Sequence, residues 1–401
     1  MGESHVIIVG GGVIGMSLAW RLTGAGARVS VIDAGAGAPP ATNAAAGMLA
    51  PSFEHSAGPL AEALYAFSVE SLARWRDFAP KLERDAGTRI DYRDDGILGA
   101  ALNEAEEEEL KGAFSPLKAR GASVEWLSSE EIRAREPLLS AEVRGGFFAH
   151  DDAQVDPRRV LAALHRVFLE AGGAFIAARA ASLAMKSGGA RGVTLESGET
   201  IEGDAVVIAT GAFAQICDLA PPVFPVKGEA LALDMSGVAF ARVVRTKHAY
   251  LCPKAGGRLV IGATEAPHEA SLDPSSSRVE ALKRAAIDAA PALSSCTELE
   301  RWAGLRPGTP DGAPILGRPA ESPEGLFLAL GHYRNGVLLA PETAEKLTSL
   351  ILEGKTPALS GPSALIASNC VNLKEIVIMT EDTQGEKTPG KSLTRPCRLM
   401  L

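Results

Sequence analysis

A chain of 401 residues, 46% of them apolar and 22% charged, is long enough to bury a full core without help from disulfides or metals. Its formal net charge of −9, with no local run of Lys and Arg, excludes a nucleic-acid-binding face, which needs clustered cations to neutralise phosphates. No uninterrupted run of about 18 apolar residues occurs, so a membrane span is not expected. The apolar stretch from Val6 to Trp20 is flanked by Glu3 rather than basic residues and is broken by Gly10, Gly11, Gly12 and Gly15, so it does not read as a secretory leader. Cys217, Cys252, Cys296, Cys370 and Cys397 are scattered and form no C-x-x-C pair, which fits a reduced, cytoplasmic protein.

His5 to Val9 is a short apolar run, β-branched at nearly every position, as a strand buried on both faces should be. Gly10-Gly11-Gly12-Val13-Ile14-Gly15 follows and fits G-x-G-x-x-G, after which Val13, Ile14, Leu18 and Leu22 recur at helical spacing until Gly24 and Gly26. Arg28 to Ile32 reads as a second strand with Asp33 at its C-terminal end. The glycine motif alone is weak, but lying between strand and helix, with an acid about 20 residues on, it reads as a dinucleotide site. Gly10 permits the tight turn, Gly12 lets backbone approach a pyrophosphate, and Gly15 allows close helix–strand packing. The phosphates rest at the helix N-terminus, and Asp33 accepts from ribose hydroxyls. FAD and NAD share this ADP half, so the element does not choose between them. The absence of a second G-x-G-x-x-G argues against a flavin reductase with its own NAD(P)H domain.

From Leu60 to Leu82 the apolar residues mark an amphipathic helix. Asn103 begins another, whose Glu104, Glu106 and Glu109 read as a solvated first turn. His150-Asp151-Asp152 reads as a loop rather than a metal cluster. Asp156 and Pro157 start a helix as N-cap and first residue. Asp204 to Thr210 is an apolar strand ending at Gly211, placed to return a long insertion to the first sheet. Val243 to Thr264 looks like a hairpin turning at Ala255-Gly256-Gly257. Leu326 to Leu330 is a further buried strand, followed by a Gly331 to Gly336 turn and a helix from about Pro341 to Gly354. Sheet-and-helix pieces around a β-rich middle predict an α/β fold, a Rossmann-type nucleotide domain with an interleaved antiparallel-sheet substrate domain.

Several separate segments then resemble one family: Gly10 to Gly15 with Asp33, Thr42-Asn-Ala-Ala-Ala-Gly-Met-Leu-Ala-Pro51, Pro225-Val-Lys-Gly-Glu229, His248-Ala-Tyr250, Gly304-Leu-Arg-Pro-Gly-Thr-Pro-Asp-Gly312 and Gly331-His-Tyr-Arg-Asn-Gly-Val-Leu-Leu-Ala-Pro341. Over about residues 5 to 355 the chain resembles the flavoprotein amine oxidases of the D-amino-acid oxidase type, most closely the glycine-oxidising branch that serves thiazole (thiamine) biosynthesis. The resemblance implies noncovalent FAD, held by Gly10, Gly12, Val13, Ile14, Gly15, Asp33, Ala41, Thr42, Ala46, Gly47, Met48, Ala181, Gly211 and the stretch His332, Tyr333, Arg334, Asn335, Gly336, Val337 and Leu338. Small residues from Ala44 to Met48 would let backbone N–H groups approach the flavin ring. The turn from His332 to Leu338 would aim donors at its pyrimidine end.

The same resemblance implies a small amino-acid substrate, glycine first and sarcosine or small D-amino acids as alternatives, with dioxygen as co-substrate. Arg334 is the leading candidate for the substrate carboxylate, because a guanidinium fork matches a carboxylate bidentately. Arg306 matches a second substrate arginine and Tyr250 its phenolic partner. His248 is placed on the Tyr250 strand face as plausible lining. Hydride passes from the substrate Cα to flavin N5, with no catalytic side chain and no metal, and the imine hydrolyses to glyoxylate and ammonia or feeds thiazole assembly. Dioxygen reoxidation gives hydrogen peroxide. Positioning and cofactor electronics carry such a reaction.

The division expected is 1–85, 141–225 and 305–360 for FAD, 86–140 and 226–304 for substrate, and a tail, 361–401, without an assigned role. Thr42-Asn43 departs from the small hydroxyl residues usual before this family's Ala-Ala-Ala-Gly-Met segment. The rival readings are a D-amino-acid dehydrogenase passing electrons to a quinone, an NAD-dependent dehydrogenase, and a nucleotide-binding interaction protein without turnover. Members of such a family often assemble, which raises a homo-oligomer; no membrane or nucleic-acid partner is expected.

Overall fold

The strand His5–Val9 lies at the centre of a six-stranded sheet, hydrogen-bonded to Arg28–Asp33 on one side and to Ala205–Ile208 on the other. The chain is represented by a computed structural model that describes residues 4–35, 41–54, 60–213, 223–237, 239–318 and 322–354. The segment 361–401 lies outside the described residues, as do Cys217, Cys370 and Cys397.

The sheet continues outward to Ala174–Ala177 at one edge and to Leu326–Leu330 and Ile315–Gly317 at the other. All pairings are parallel except that of Ile315–Gly317 with Leu326–Leu330. Val6 and Ile8 face a core with the helices Val13–Gly24, Ala61–Ala86, Pro157–Glu170 and Gly336–Glu353. Ile7 and Val9 face Ala190, Val193 and Leu195 of a three-stranded sheet on the opposite side. Burial on both faces explains the unbroken β-branched run. The return of the chain after a long insertion is as the sequence suggests: Val6 pairs with Ala205 and Val9 with Ile208.

A nine-stranded sheet forms the second layer system, running from Ala266–Pro267 through Phe224–Asp234, Arg258–Gly262, Tyr250–Lys254, Val243–Arg245, Ile97–Ala101 and Gly145–Ala149 to Val124–Ser128, with Glu298–Gly308 also paired to Phe224–Asp234. It is antiparallel except where Val243–Arg245 meets Ile97–Ala101. The helix Ser276–Ala289 covers one face through Val279, Leu282 and Ala286. Phe53 and Phe147 stack at 4.7 Å on the other.

Four expectations change. Gly145–Ala149, assigned by sequence to the nucleotide part, is a strand of the second sheet, flanked by Ile97–Ala101 and Val124–Ser128. Its five residues are all buried, and such a run identifies a strand but not its partners. The final helix begins at Gly336 rather than near Pro341, which sits in its second turn and costs it one backbone hydrogen bond. The first turn of the helix Glu104–Ala119 is only partly solvated: Glu106 is buried and accepts from the Leu102 N–H and Asn103 Nδ2, while Asn103 caps the Glu106 N–H. His248 lies in the bend before Tyr250–Lys254 rather than on the strand face, exposed and 3.8 Å from Glu106, and it does line the cavity between the sheets. His150, Asp151 and Asp152 diverge as a loop should: His150 faces Glu125, Asp151 pairs with Arg76, and Asp152 is buried on Ser52.

Candidate active site

A cavity of about 1080 Å³ runs between the two sheets, at the upper end of the range for ligand pockets. Its first part is built by the glycine turn. Gly10 has φ +116°, and a Cβ there would meet the Ala209 carbonyl oxygen at 2.3 Å. A Cβ on Gly15 would fall 1.9 Å from the Gly10 oxygen, so this glycine is demanded by packing and does not itself line the cavity. Gly12 differs. The nearest protein atom to its hypothetical Cβ is Thr42 Oγ1 at 3.6 Å, so it is open on the cavity side. The helix Val13–Gly24 starts there without a side-chain cap, although Thr42 Oγ1 accepts from the Val13 N–H at 3.0 Å. Asp33 accepts from the Gly11 N–H at 2.6 Å and the Gly35 N–H at 2.7 Å while lining the same space.

Val13, Ile14, Ala41, Ala46, Gly47, Met48, Ala181 and Gly211 also line the cavity, as do His332 to Val337. Leu338 does not: its side chain is buried, and its carbonyl accepts from Ser71 Oγ and Trp75 Nε1 of the helix Ala61–Ala86. The helix Gly336–Glu353 begins beside His332 with no side-chain cap, and Gly336 and Val337 of its first turn line the cavity. His332 is buried with Nε2 3.2 Å from Thr343 Oγ1, and burial lowers its pKa to about 3, keeping the ring neutral. Tyr333 sits at φ +48°, a left-handed conformation that bulky residues rarely adopt. Thr210 Oγ1, at the C-terminal edge of the parallel sheet, is buried on the cavity wall without a partner among the described residues. Open Gly12, uncapped helix starts and the orphaned Thr210 hydroxyl fit a dinucleotide laid across the strand ends.

The second part of the cavity faces the antiparallel sheet. Tyr250 and Arg306 both reach it, each over a glycine. A Cβ on Gly262 would meet Tyr250 Oη at 2.2 Å, and one on Gly228 would meet all the terminal guanidinium atoms of Arg306 at 2.3–2.4 Å. Burial pushes the Tyr250 phenol up to about 12. Arg306 NH1 donates to the Lys227 and Thr264 carbonyls at 3.4 and 3.2 Å, and no described carboxylate pairs with it. Arg334 stands in another environment: its Nε donates to Glu54 Oε2 at 2.8 Å, with Glu265 3.8 Å from NH1. Glu54 also accepts from Arg245 at 3.2 Å.

Sequence reasoning missed Glu54, Arg245, Gly228, Gly262 and Glu265. The two arginines and the tyrosine carried a recognisable pattern; the counter-charges and the clearing glycines come from segments whose proximity only the fold creates.

The family model for FAD dependent oxidoreductase matches residues 5–350. A glycine oxidase of Bacillus licheniformis is 36% identical over 354 residues, covering 86% of this chain and 92% of that protein. The bifunctional protein ThiO/ThiG of Synechocystis sp. is 35% identical over 372 residues, covering 89% of this chain and 53% of its own length. In three dimensions the chain is similar to the crystal structure of glycine oxidase from Geobacillus kaustophilus, with a TM-score of 0.83, 31% identity, and coverage of 90% and 98% of the two chains.

Proposed function

The chain belongs to the family of FAD-dependent oxidoreductases of the D-amino-acid oxidase type, and from that premise we propose that it oxidises glycine, with sarcosine and small D-amino acids as lesser substrates. The products are the imine, which hydrolyses to glyoxylate and ammonia or supplies thiazole assembly in thiamine biosynthesis, and hydrogen peroxide from dioxygen. The names and 36% and 35% identities of the glycine oxidase and ThiO/ThiG relatives support the substrate and the pathway. No helix among the described residues is long and apolar enough to cross a membrane, and a cytoplasmic setting agrees with the free thiols Cys252 and Cys296.

One observation carries the substrate reading. Arg306 is a half-buried guanidinium on the cavity wall, held by neutral carbonyls and paired with no described carboxylate. Such a group binds an incoming carboxylate without first giving up a partner. We therefore assign the substrate carboxylate to Arg306 rather than Arg334, whose charge is already met by Glu54. Tyr250, protonated across the working pH range because burial raises its pKa to about 12, donates to the same carboxylate.

FAD, when bound, would supply the two-electron redox chemistry that links the substrate to dioxygen. Gly10, Gly12, Val13, Ile14 and Asp33 hold its adenosine and phosphate half, with Ala41, Thr42 and Ala181 beside them. Ala46, Gly47, Met48 and the residues from His332 to Val337 hold the ring half. The N–H groups opening the helix Gly336–Glu353 favour negative charge there. The chain's own residues would orient a neutral-amine substrate in the second part of the cavity and exclude water. The second sheet, from about residue 86 to 149 and 224 to 308, serves as the substrate unit and the parallel sheet as the cofactor unit.

The test is anaerobic addition of glycine to the purified, yellow protein. Bleaching that air reverses, with peroxide formed, supports an oxidase. Bleaching that only a quinone reverses makes it a dehydrogenase, and no bleaching with glycine, sarcosine or D-alanine contradicts the proposal.

A further inference from the structure

Pro225-Val-Lys-Gly-Glu229 gives the substrate reading a backbone carbonyl and a bare glycine, but its charged side chains serve neither the cofactor nor the substrate reading. Its charged residues join Glu269 and Arg278 in a connected ionic cluster near the cavity. Lys227 and Glu229 are almost fully buried, at 2% and 0% exposure. Glu229 accepts from Arg278 Nε at 2.7 Å, from the Ser275 N–H at 2.6 Å and from Thr264 Oγ1 at 2.9 Å. Lys227 Nζ donates to Glu269 and to the Asp273 carbonyl, both at 2.7 Å, and Arg278 closes the circuit onto Glu269 at 2.8 and 2.9 Å. Burial opposes charge on Glu229, but the bonds from Arg278, Ser275 and Thr264 outweigh it and hold its pKa down to about 2.

The cluster fastens the segment from Thr264 to Ser275 onto the strand Phe224–Asp234. Thr264 is stitched to Glu229 at its hydroxyl, which both donates and accepts at 2.9 Å, and through its own N–H at 3.2 Å. Its remaining backbone group, the carbonyl, accepts from Arg306 NH1 together with the Lys227 carbonyl. Gly228, between the two buried charges, leaves the space the guanidinium fills.

Building on the assignment of Arg306 to the substrate carboxylate, we propose that Lys227, Glu229, Glu269 and Arg278 are positioning residues: they clamp the Thr264–Ser275 segment so that the Thr264 and Lys227 carbonyls hold the Arg306 guanidinium at the cavity wall. Arg278 and Glu269 do this without lining the cavity themselves. Two neutral carbonyls fix a guanidinium's direction without neutralising it, so the charge stays available to a ligand.

The experiment uses the FAD-loaded enzyme and acetate, a carboxylate with no amine to oxidise, titrated against the flavin visible spectrum. Arg278→Met raises the acetate Kd and the glycine KM together by about ten-fold and leaves kcat within about two-fold, the pattern of lost binding rather than lost chemistry. Arg278→Lys, which keeps the charge, recovers most of the loss. Glu269→Gln, at the partly exposed rim of the cluster, gives a smaller shift in the same direction and decides the matter if Arg278→Met does not fold. An unchanged acetate Kd in folded variants overturns the clamp, as does a fall in kcat alone. Wild-type enzyme that binds acetate but ignores glycine refutes the glycine reading and leaves the clamp to be judged by the acetate series. Wild-type enzyme that does not bind acetate removes Arg306 from the carboxylate, and the clamp with it.

Discussion

The guanidinium of Arg306 lies on the bare backbone of Gly228, with its NH2 2.3 Å from where a Cβ would be. The two residues sit on neighbouring antiparallel strands, where Arg306 pairs with Val226 and Gly304 with Gly228. A methyl at 228 has the guanidinium as its obstacle, and a long side chain can swing away. Gly228→Ala therefore folds and retains FAD, but displaces Arg306. We expect the glycine KM to rise by about ten-fold or more with a lesser change in kcat, measured by steady-state oxygen uptake.

Glu54 holds Arg334 at 2.8 Å and Arg245 at 3.2 Å. Replacing it with glutamine removes the carboxylate charge those cations share. Glu54→Gln should tighten carboxylate binding by about three- to ten-fold, since an added unit of net positive charge at this range in a partly solvated site is worth about 1 kcal/mol. Acetate titration at low and high salt checks it, with the gain shrinking as salt rises.

The glycines of the first turn should fail in different ways. Gly15→Ala forces a methyl to 1.9 Å from the Gly10 oxygen and should lower the Tm of the apoprotein itself. Gly12→Ala meets nothing nearer than Thr42 Oγ1 at 3.6 Å, so the apoprotein Tm should hold while FAD affinity falls. Thermal melts with and without added FAD separate the two.

Asp152 is buried with one oxygen on Ser52 Oγ at 2.9 Å and Oδ2 without a partner among the described residues. Burial raises its pKa well above the ordinary 3.8. For a carboxyl raised in the folded state, the stabilising contribution is present below 3.8 and is lost as pH climbs through the folded value. Asp152→Asn does not titrate, so it should melt higher than wild type by about 2 °C or more at pH 8, with the difference vanishing in acid. Melting curves across pH give the answer.

Much of the cofactor half was legible because local sequence dictates it. Strand, glycine turn, helix and Asp33 are consecutive, and the glycines have steric reasons that are visible at Gly10 and Gly15. The Asp204 to Thr210 return was readable from hydrophobicity alone, since a strand buried on both faces tolerates little else. The substrate half was less so. Gly145–Ala149 looks the same in either sheet, and Pro341 resembles a helix start although the helix runs through it. Residue type could not order Arg334 and Arg306, since both carry the same guanidinium. What distinguishes them is the company each keeps, and Glu54 lies 280 residues from Arg334 in the chain. Asp152 shows the same limit: beside Asp151 in a polar loop, only the fold tells which of the two is buried.

Glycine oxidation requires Arg306 on the substrate carboxylate. This requirement is tested most directly by measuring peroxide and glyoxylate formed from glycine by wild type and by Arg306→Met, each loaded with FAD to the same occupancy. Wild type should form equal amounts of both products, and the variant should show a kcat/KM lower by about 100-fold or more. Peroxide-free wild type, or an Arg306→Met enzyme as efficient as wild type, would contradict it.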